Sequence, residues 1–183
     1  MEKWIFEQHE NTNHKYDNYL PYEFHLKMVK QVADRFFYLL PENLFTKNNY
    51  LHGNEFNTNI TQKVITLACY GHDLIEDTRV TYNDVKEKLG LDVANIIYAL
   101  TNEKGRTRNE RANDKYYQGI LEQSGAVFVK LCDRIANVKY SKETKSGMFK
   151  KYQEENNNFL TKLNLYGVHE FRPMVNELIE LLK

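Results

Sequence analysis

Two short stretches of this chain hold side chains whose types and spacing could do chemistry. The first is ACYGHDLIEDT, residues 68–78. On a helix turning 100° per residue, His72, Glu76, Asp73 and Asp77 share an arc of about 140°. Three carboxylates beside an imidazole repel one another unless a cation or a buried proton offsets them. A solvated helix end is the alternative, but Val64, Leu67, Ala68, Leu74 and Ile75 around the cluster indicate a helix largely surrounded by protein. The second stretch is VFVKLCDRIANV, residues 127–138, apolar around most of its circumference and therefore expected to be buried. Its exception is a stripe of Lys130, Asp133, Arg134 and Asn137 within about 100° of arc. Buried charges must be paired or bind a metal. An internal salt bridge from Lys130 or Arg134 to Asp133 would satisfy that rule; a cation shared with the His72 cluster would satisfy it better.

His25 lies on the same helical face as Tyr22, Val29, Val32 and Phe36. Alone it would read as a hydrogen-bonded core histidine. Beside the other two clusters it becomes a fourth ligand candidate, giving His25, His72, Asp73 and Asp133. Two imidazoles and two carboxylates suit one hard to borderline divalent cation in octahedral geometry, manganese or iron(II), better than a closed tetrahedral zinc. Open coordination positions imply water, and hence hydrolysis. A further segment, EKGRTRNERANDKYY at 103–117, gathers Lys104, Arg106, Arg108, Arg111 and Lys115. It reads either as a salt-bridged helix start or as a phosphate-binding wall, with Arg108 and Arg111 at i,i+3 as the preferred guanidinium pair.

The elements that must position these groups are helices. Apolar residues recur at three- and four-residue spacing, with only three prolines and eight glycines in 183 residues. The pattern predicts an all-α chain, one domain over residues 1–183, with helices from near Trp4, over Tyr22–Leu40, Ile60–Glu76, Thr81 to Leu89, Asp92–Leu100, Asn109–Glu122, Ala126–Tyr140, Met148–Leu163 and Arg172–Leu182. Thr81 with Asp84 resembles an N-cap, Gly90 a left-handed stop, and Ser124 another N-cap. Residues 41–59, rich in Asn, read as a loop or insertion. The charges balance at 25 basic and 25 acidic residues, which removes the electrostatic footprint of a nucleic-acid protein. No apolar run approaches the roughly 20 residues that span a bilayer, and the N-terminus lacks a signal-peptide pattern. The expectation is a cytoplasmic protein with a small phosphorylated partner. Cys69 and Cys132, far apart in sequence and outside any CxxC motif, read as buried free thiols.

The series PYEFH, HDLIEDT and VKLCDRIANV is similar to the HD-domain superfamily. Within it the chain resembles the hydrolase domain of RelA/SpoT-type alarmone hydrolases and their small stand-alone relatives, loosely from residue 14 to 160. The resemblance implies a helical HD fold and the same four metal ligands, usually for manganese, with iron(II) or magnesium as alternatives. It also implies that Glu76 and Asp77 position and activate the attacking water, and that Asn137, flanked by Lys130 and Arg134, contacts the substrate. In that family the substrate is (p)ppGpp and the 3′-pyrophosphate leaves. This chain departs from the pattern in three places. The segment between His25 and His72 is longer and contains His52, expected to face solvent. Lys15 and Tyr16 stand where basic residues usually meet the guanine. Without a synthetase or regulatory segment in the sequence, a hydrolase-only protein is expected. The competing readings are an HD-type nucleoside monophosphatase or other phosphometabolite hydrolase, which would release orthophosphate, and a metal-containing binding module without turnover.

Overall fold

The computed structural model describes residues 1–42, 44–45, 59–167 and 169–183. The helices are α1 (Glu2–Asn11), α2 (Glu23–Phe36, continued as a 3-10 turn Phe37–Leu39), α3 (Asn59–Gly71), α4 (Leu74–Asp77), α5 (Tyr82–Leu89), α6 (Leu91–Leu100), α7 (Arg108–Arg111), α8 (Asp114–Glu122), α9 (Ala126–Glu143), α10 (Met148–Lys162) and α11 (Arg172–Leu181). A two-stranded antiparallel hairpin, β1 (Lys15–Tyr16) and β2 (Leu20–Pro21), joins α1 to α2. No helix among the described residues is long and apolar enough to cross a membrane.

The centre is α9, as its all-round apolar pattern requires. Phe128, Val129, Leu131, Cys132, Ile135 and Val138 are fully buried, and α2, α3, α10 and α11 pack around them. The larger core joins this helix to Val29 and Ala33 of α2, Ile65 and Ala68 of α3, and Met174 and Leu178 of α11. A smaller core links Ile5, Leu26, Leu74, Val85 and Val93. Helix α6 serves both, with Ile96 in the first and Ile97 in the second.

The structure changes several sequence expectations. The helix predicted over Ile60–Glu76 breaks after Gly71 and resumes as α4. The reason is local. His72 folds back so that its Nδ1 lies 2.8 Å from the Cys69 carbonyl, the acceptor the amide of residue 73 would use in a continuous helix. The helix predicted over Asn109–Glu122 is also two pieces, because Asn113 caps α8 by accepting from the Tyr116 amide at 3.1 Å. Thr81 and Asp84 do form a capping box. Gly90 has the positive φ expected, 97°, but its ψ of 165° is extended, so it is not a left-handed stop. Gly125, rather than Ser124, precedes α9, at φ 81° with no side-chain cap. Of the 41–59 segment, Asn59 opens α3; residue 43 and residues 46–58, His52 among them, lie outside the described residues. Cys69 and Cys132 are free and buried, as expected, but they are neighbours in space. Burial and the adjacent Cys69 thiol push the Cys132 pKa well above the ordinary thiol range.

Candidate functional site

His25 stands in the first turn of α2, His72 and Asp73 in the break between α3 and α4, and Asp133 midway along α9. The packing of α2, α3 and α9 on one another therefore brings all four together. His25 and His72 place their Nε2 atoms 3.2 Å apart. Asp133 Oδ1 is 3.3 Å from the first and 3.7 Å from the second. Asp73 Oδ2 lies 3.0 Å from His72 Nε2 and 3.9 Å from His25 Nε2. One donor atom each from His25, His72 and Asp133 lies within 4.8 Å of the other two, and Asp73 flanks that trio.

The cluster requires positive charge. Because a carbonyl can only accept, His72 carries a proton on Nδ1 toward Cys69, so that Nε2 is the ring atom turned toward His25 and the two carboxylates. Burial opposes protonation of His72, yet Asp73 and Asp133 raise its pKa well above the ordinary imidazole value. Burial likewise opposes ionisation of Asp133, and Lys130 with the two histidines overcomes it, holding the carboxyl well below its usual range. Asp73 is depressed in the same way, chiefly by His72 against the burial cost. Two imidazole nitrogens and two ionised carboxylates converging on one point form a donor set that fits a divalent cation.

Around this cluster opens a cavity of about 270 Å³, walled by Glu76, Asp77, Asn102, Arg108, Arg111 and Lys130 among others. The structure therefore brings the four ligand candidates, Glu76, Asp77, Lys130, Arg134, Asn137, Arg108 and Arg111 either into the cluster or onto this wall; of the other basic residues at 103–117, Lys104 and Arg106 do not line the cavity and Lys115 pairs with Glu103 at 2.9 Å. Their pairings differ from expectation in two respects. Lys130 does meet Asp133, with Nζ 3.1 Å from Oδ2. Arg134, however, turns away to Glu155 at 3.2 Å, its guanidinium between the rings of Tyr152 and Phe159 at 4.9 and 4.4 Å. Arg108 also binds Glu155, at 2.8 Å, so its partner across the cavity is Arg134 as much as Arg111. Asn137 donates to Asp133 and accepts from the Tyr16 hydroxyl at 2.9 Å.

Glu76 and Asp77 differ in their engagement. Both Glu76 oxygens are held by Asn102 Nδ2, at 2.8 and 2.9 Å, and the Asn102 amide adds a third bond at 3.2 Å. Asp77 accepts no side-chain hydrogen bond among the described residues, and burial, with Asp73 and Glu76 nearby, raises its pKa to about 7. A carboxyl near neutrality can take and return a proton.

Sequence reasoning did not anticipate Asn102, Tyr22, Tyr152 or Glu155 as part of this site. Tyr22 donates to Asp73 from beneath the cluster. Tyr16, singled out only as a stand-in near the guanine side, stacks on His25 with ring centres 4.8 Å apart and planes 11° apart. The PYEFH motif carried the signal for Tyr22; nothing in the sequence pattern marked Asn102, 26 residues beyond its partner.

The architecture is the all-helical HD-type fold. A solved structure described as a metazoan ortholog of SpoT that hydrolyzes ppGpp superposes with a TM-score of 0.68, covering 98% of this chain and 90% of that one at 17% identity. In sequence, the chain is similar to guanosine-3′,5′-bis(diphosphate) 3′-pyrophosphohydrolase MESH1 of Homo sapiens, 31% identical over 80 residues, 44% of this chain and 45% of that protein. The Drosophila melanogaster protein of the same name is 28% identical over 80 residues, with the same coverage. The guanosine-3′,5′-bis(diphosphate) 3′-pyrophosphohydrolase of Aquifex aeolicus is 34% identical over 76 residues, 40% of this chain and 11% of that one. The match thus spans less than half the length of these relatives. No family model matches the chain.

Proposed function

We propose that this chain is a metal-dependent phosphohydrolase that removes the 3′-pyrophosphate from (p)ppGpp-like nucleotides. The observation that carries the reading is the meeting of His25, His72, Asp73 and Asp133 at a cavity whose wall bears both carboxylate and guanidinium groups. The names and fold of the relatives support the choice of substrate. His25, His72, Asp73 and Asp133 would hold one divalent cation, manganese by preference and iron(II) or magnesium otherwise. When bound, that cation supplies Lewis-acid polarisation of a phosphoryl oxygen and acidifies water.

The remaining work belongs to the chain's own side chains. Asp77, ionised in part near neutrality and with a carboxylate that accepts no side-chain hydrogen bond among the described residues, takes the proton of the attacking water. Glu76, fixed by Asn102, orients that water and contributes negative charge that keeps the Asp77 carboxyl basic. Lys130, Arg108 and Arg111 offset the charge of the pyrophosphate and align it. In this reading Asn137 contacts the sugar or a phosphate of the substrate. The test is incubation of purified protein with manganese and ppGpp, with product identification. Pyrophosphate with intact 5′-phosphates upholds the reading; orthophosphate alone, or no product from metal-loaded protein, overturns it.

A further inference from the structure

Helix α1 ends in a closed pattern of backbone hydrogen bonds. The Asn13 amide donates to the Glu10 carbonyl at 2.8 Å and the His14 amide to the His9 carbonyl at 3.0 Å. Asn13, at φ 53°, is the left-handed residue such a termination needs. This geometry presses the side chain of residue 9 against that of residue 14, a contact usually made by two apolar groups. Here both are imidazoles. Their Nδ1 atoms are 3.1 Å apart. His9 is buried to 1% exposure, and its Nε2 has no hydrogen-bond partner among the described residues. Both rings stack on Tyr22, at 4.6 and 3.8 Å between centres. The far nitrogen of His14, Nε2, reaches to 3.8 Å from Asp77 Oδ2.

A buried, half-satisfied imidazole is a costly way to end a helix, so a role beyond packing is indicated. Both rings are neutral near pH 7, since burial lowers the His9 pKa to about 4 and also pulls His14 below its ordinary value. The two facing Nδ1 atoms therefore share one proton. Were it on His14, that ring's Nε2 would present a lone pair to the Asp77 carboxylate, and His9 would bury an N–H donor with no acceptor. With the proton on His9, His9 Nδ1–H donates to His14, and His14 Nε2–H faces Asp77. Only a lone pair on His9 is then left bare, the lesser loss.

We propose that His9 and His14 are positioning residues for Asp77: His9 locks the tautomer of His14, and His14 steers the Asp77 carboxylate through its Nε2–H. The 3.8 Å gap closes to a hydrogen bond when Asp77 rotates toward its working position, since such bonds tighten in the substrate complex. The proposal rests on the phosphohydrolase reading above, in which Asp77 accepts the proton.

Two measurements on the full chain test it. Long-range proton–nitrogen NMR of the protein loaded with diamagnetic magnesium should show His9 as the Nδ1–H tautomer and His14 as the Nε2–H tautomer; the reverse assignment overturns the proposal. In steady-state assays, His14→Phe keeps the ring stacked on Tyr22 but removes the donor. It should lower kcat about tenfold, the effect of a misaligned rather than a missing base, with KM and metal content unchanged. His14→Gln, which restores an N–H at a similar reach, should recover most of that loss. His9→Phe should shift the His14 spectrum to a mixture of tautomers. Wild-type kcat in His14→Phe overturns the proposal while leaving the functional reading intact. A metal-loaded wild type without phosphohydrolase activity overturns the functional reading, and the tautomer spectrum then decides the pair by itself.

Discussion

Asn102 grips both carboxylate oxygens of Glu76, whereas Asp77, the next residue, is left without a hydrogen-bond donor among the described residues. Two adjacent acids thereby acquire different tasks. Asp77→Asn should lower turnover by roughly two to four orders of magnitude, the usual contribution of a general acid or base, with metal content unchanged. Glu76→Gln should cost less in kcat, because an amide keeps one acceptor for Asn102. Equal losses in the two variants, measured alongside metal analysis, would remove the distinction.

Asp77 also makes a prediction about stability. Its folded pKa of about 7 is raised chiefly by burial and by Asp73 and Glu76. A carboxyl raised on folding binds its proton more tightly in the native state. Its destabilising effect is absent below the unfolded value near 4, accumulates as pH rises and is complete above about 7. In metal-free protein, Asp77→Asn should therefore raise the melting temperature at pH 8 and change it little at pH 4. With 32% of the side chain still exposed, solvent screening limits the gain to about 1 kcal/mol, or roughly 2–4 °C. A gain that is the same at both pH values would show that the carboxylate charge is not its source.

Much of this arrangement was legible from residue types alone. The stripe on α9 announced itself because it interrupts an otherwise apolar helix, and Thr81 with Asp84 marked the start of α5. The break at His72 was not legible, because it depends on a side chain replacing a backbone donor at Cys69, which periodicity does not encode. The hairpin at residues 15–21 escaped because its turn contains no glycine. Asp17 and Asn18 instead take φ values of 51° and 67°, which these short polar side chains tolerate. The pairing of Arg134 with Glu155 was hidden for a third reason. It joins two helices whose relative rotation is set by packing around Tyr152 and Phe159.

Asp133→Ala should abolish metal binding and activity together. It should also destabilise the protein by about 2 kcal/mol, since Lys130, partly buried with 21% of its side chain exposed, would lose its ion-pair partner. Burial opposes the Lys130 charge, and Tyr116, Asp133 and Asp73 are what hold its pKa well above the usual value. Denaturant unfolding and metal analysis check both parts. Full metal occupancy in the variant would remove Asp133 from the ligand set.

At Gly125 the expected effect is purely structural. Its φ of 81° disfavours any side chain, and an added Cβ would lie 2.8 Å from Ile65 Cδ1 and 3.1 Å from Phe45 Cζ. Gly125→Ala should cost about 2 kcal/mol. Thermal melting reads the loss directly, and an unchanged melting temperature would mean that the entry to α9 relaxes freely.

Glu155 offers the last test, because one carboxylate holds two guanidinium groups that face the cavity. Arg108 Nε lies 2.8 Å and Arg134 Nη1 3.2 Å from its oxygens. A pyrophosphate entering the cavity competes with Glu155 for the more exposed of these, Arg108, whose side chain is 50% accessible against 8% for Arg134. Glu155→Gln keeps an acceptor for the buried Arg134 but removes the competing negative charge. KM for a pyrophosphorylated nucleotide should fall several-fold at low salt with kcat nearly unchanged, and the advantage should shrink at high ionic strength as the field is screened. Arg108→Ala should move KM in the opposite direction. Should KM rise in Glu155→Gln at both salt concentrations, Glu155 would act by orienting the arginines for the phosphates rather than by competing for them.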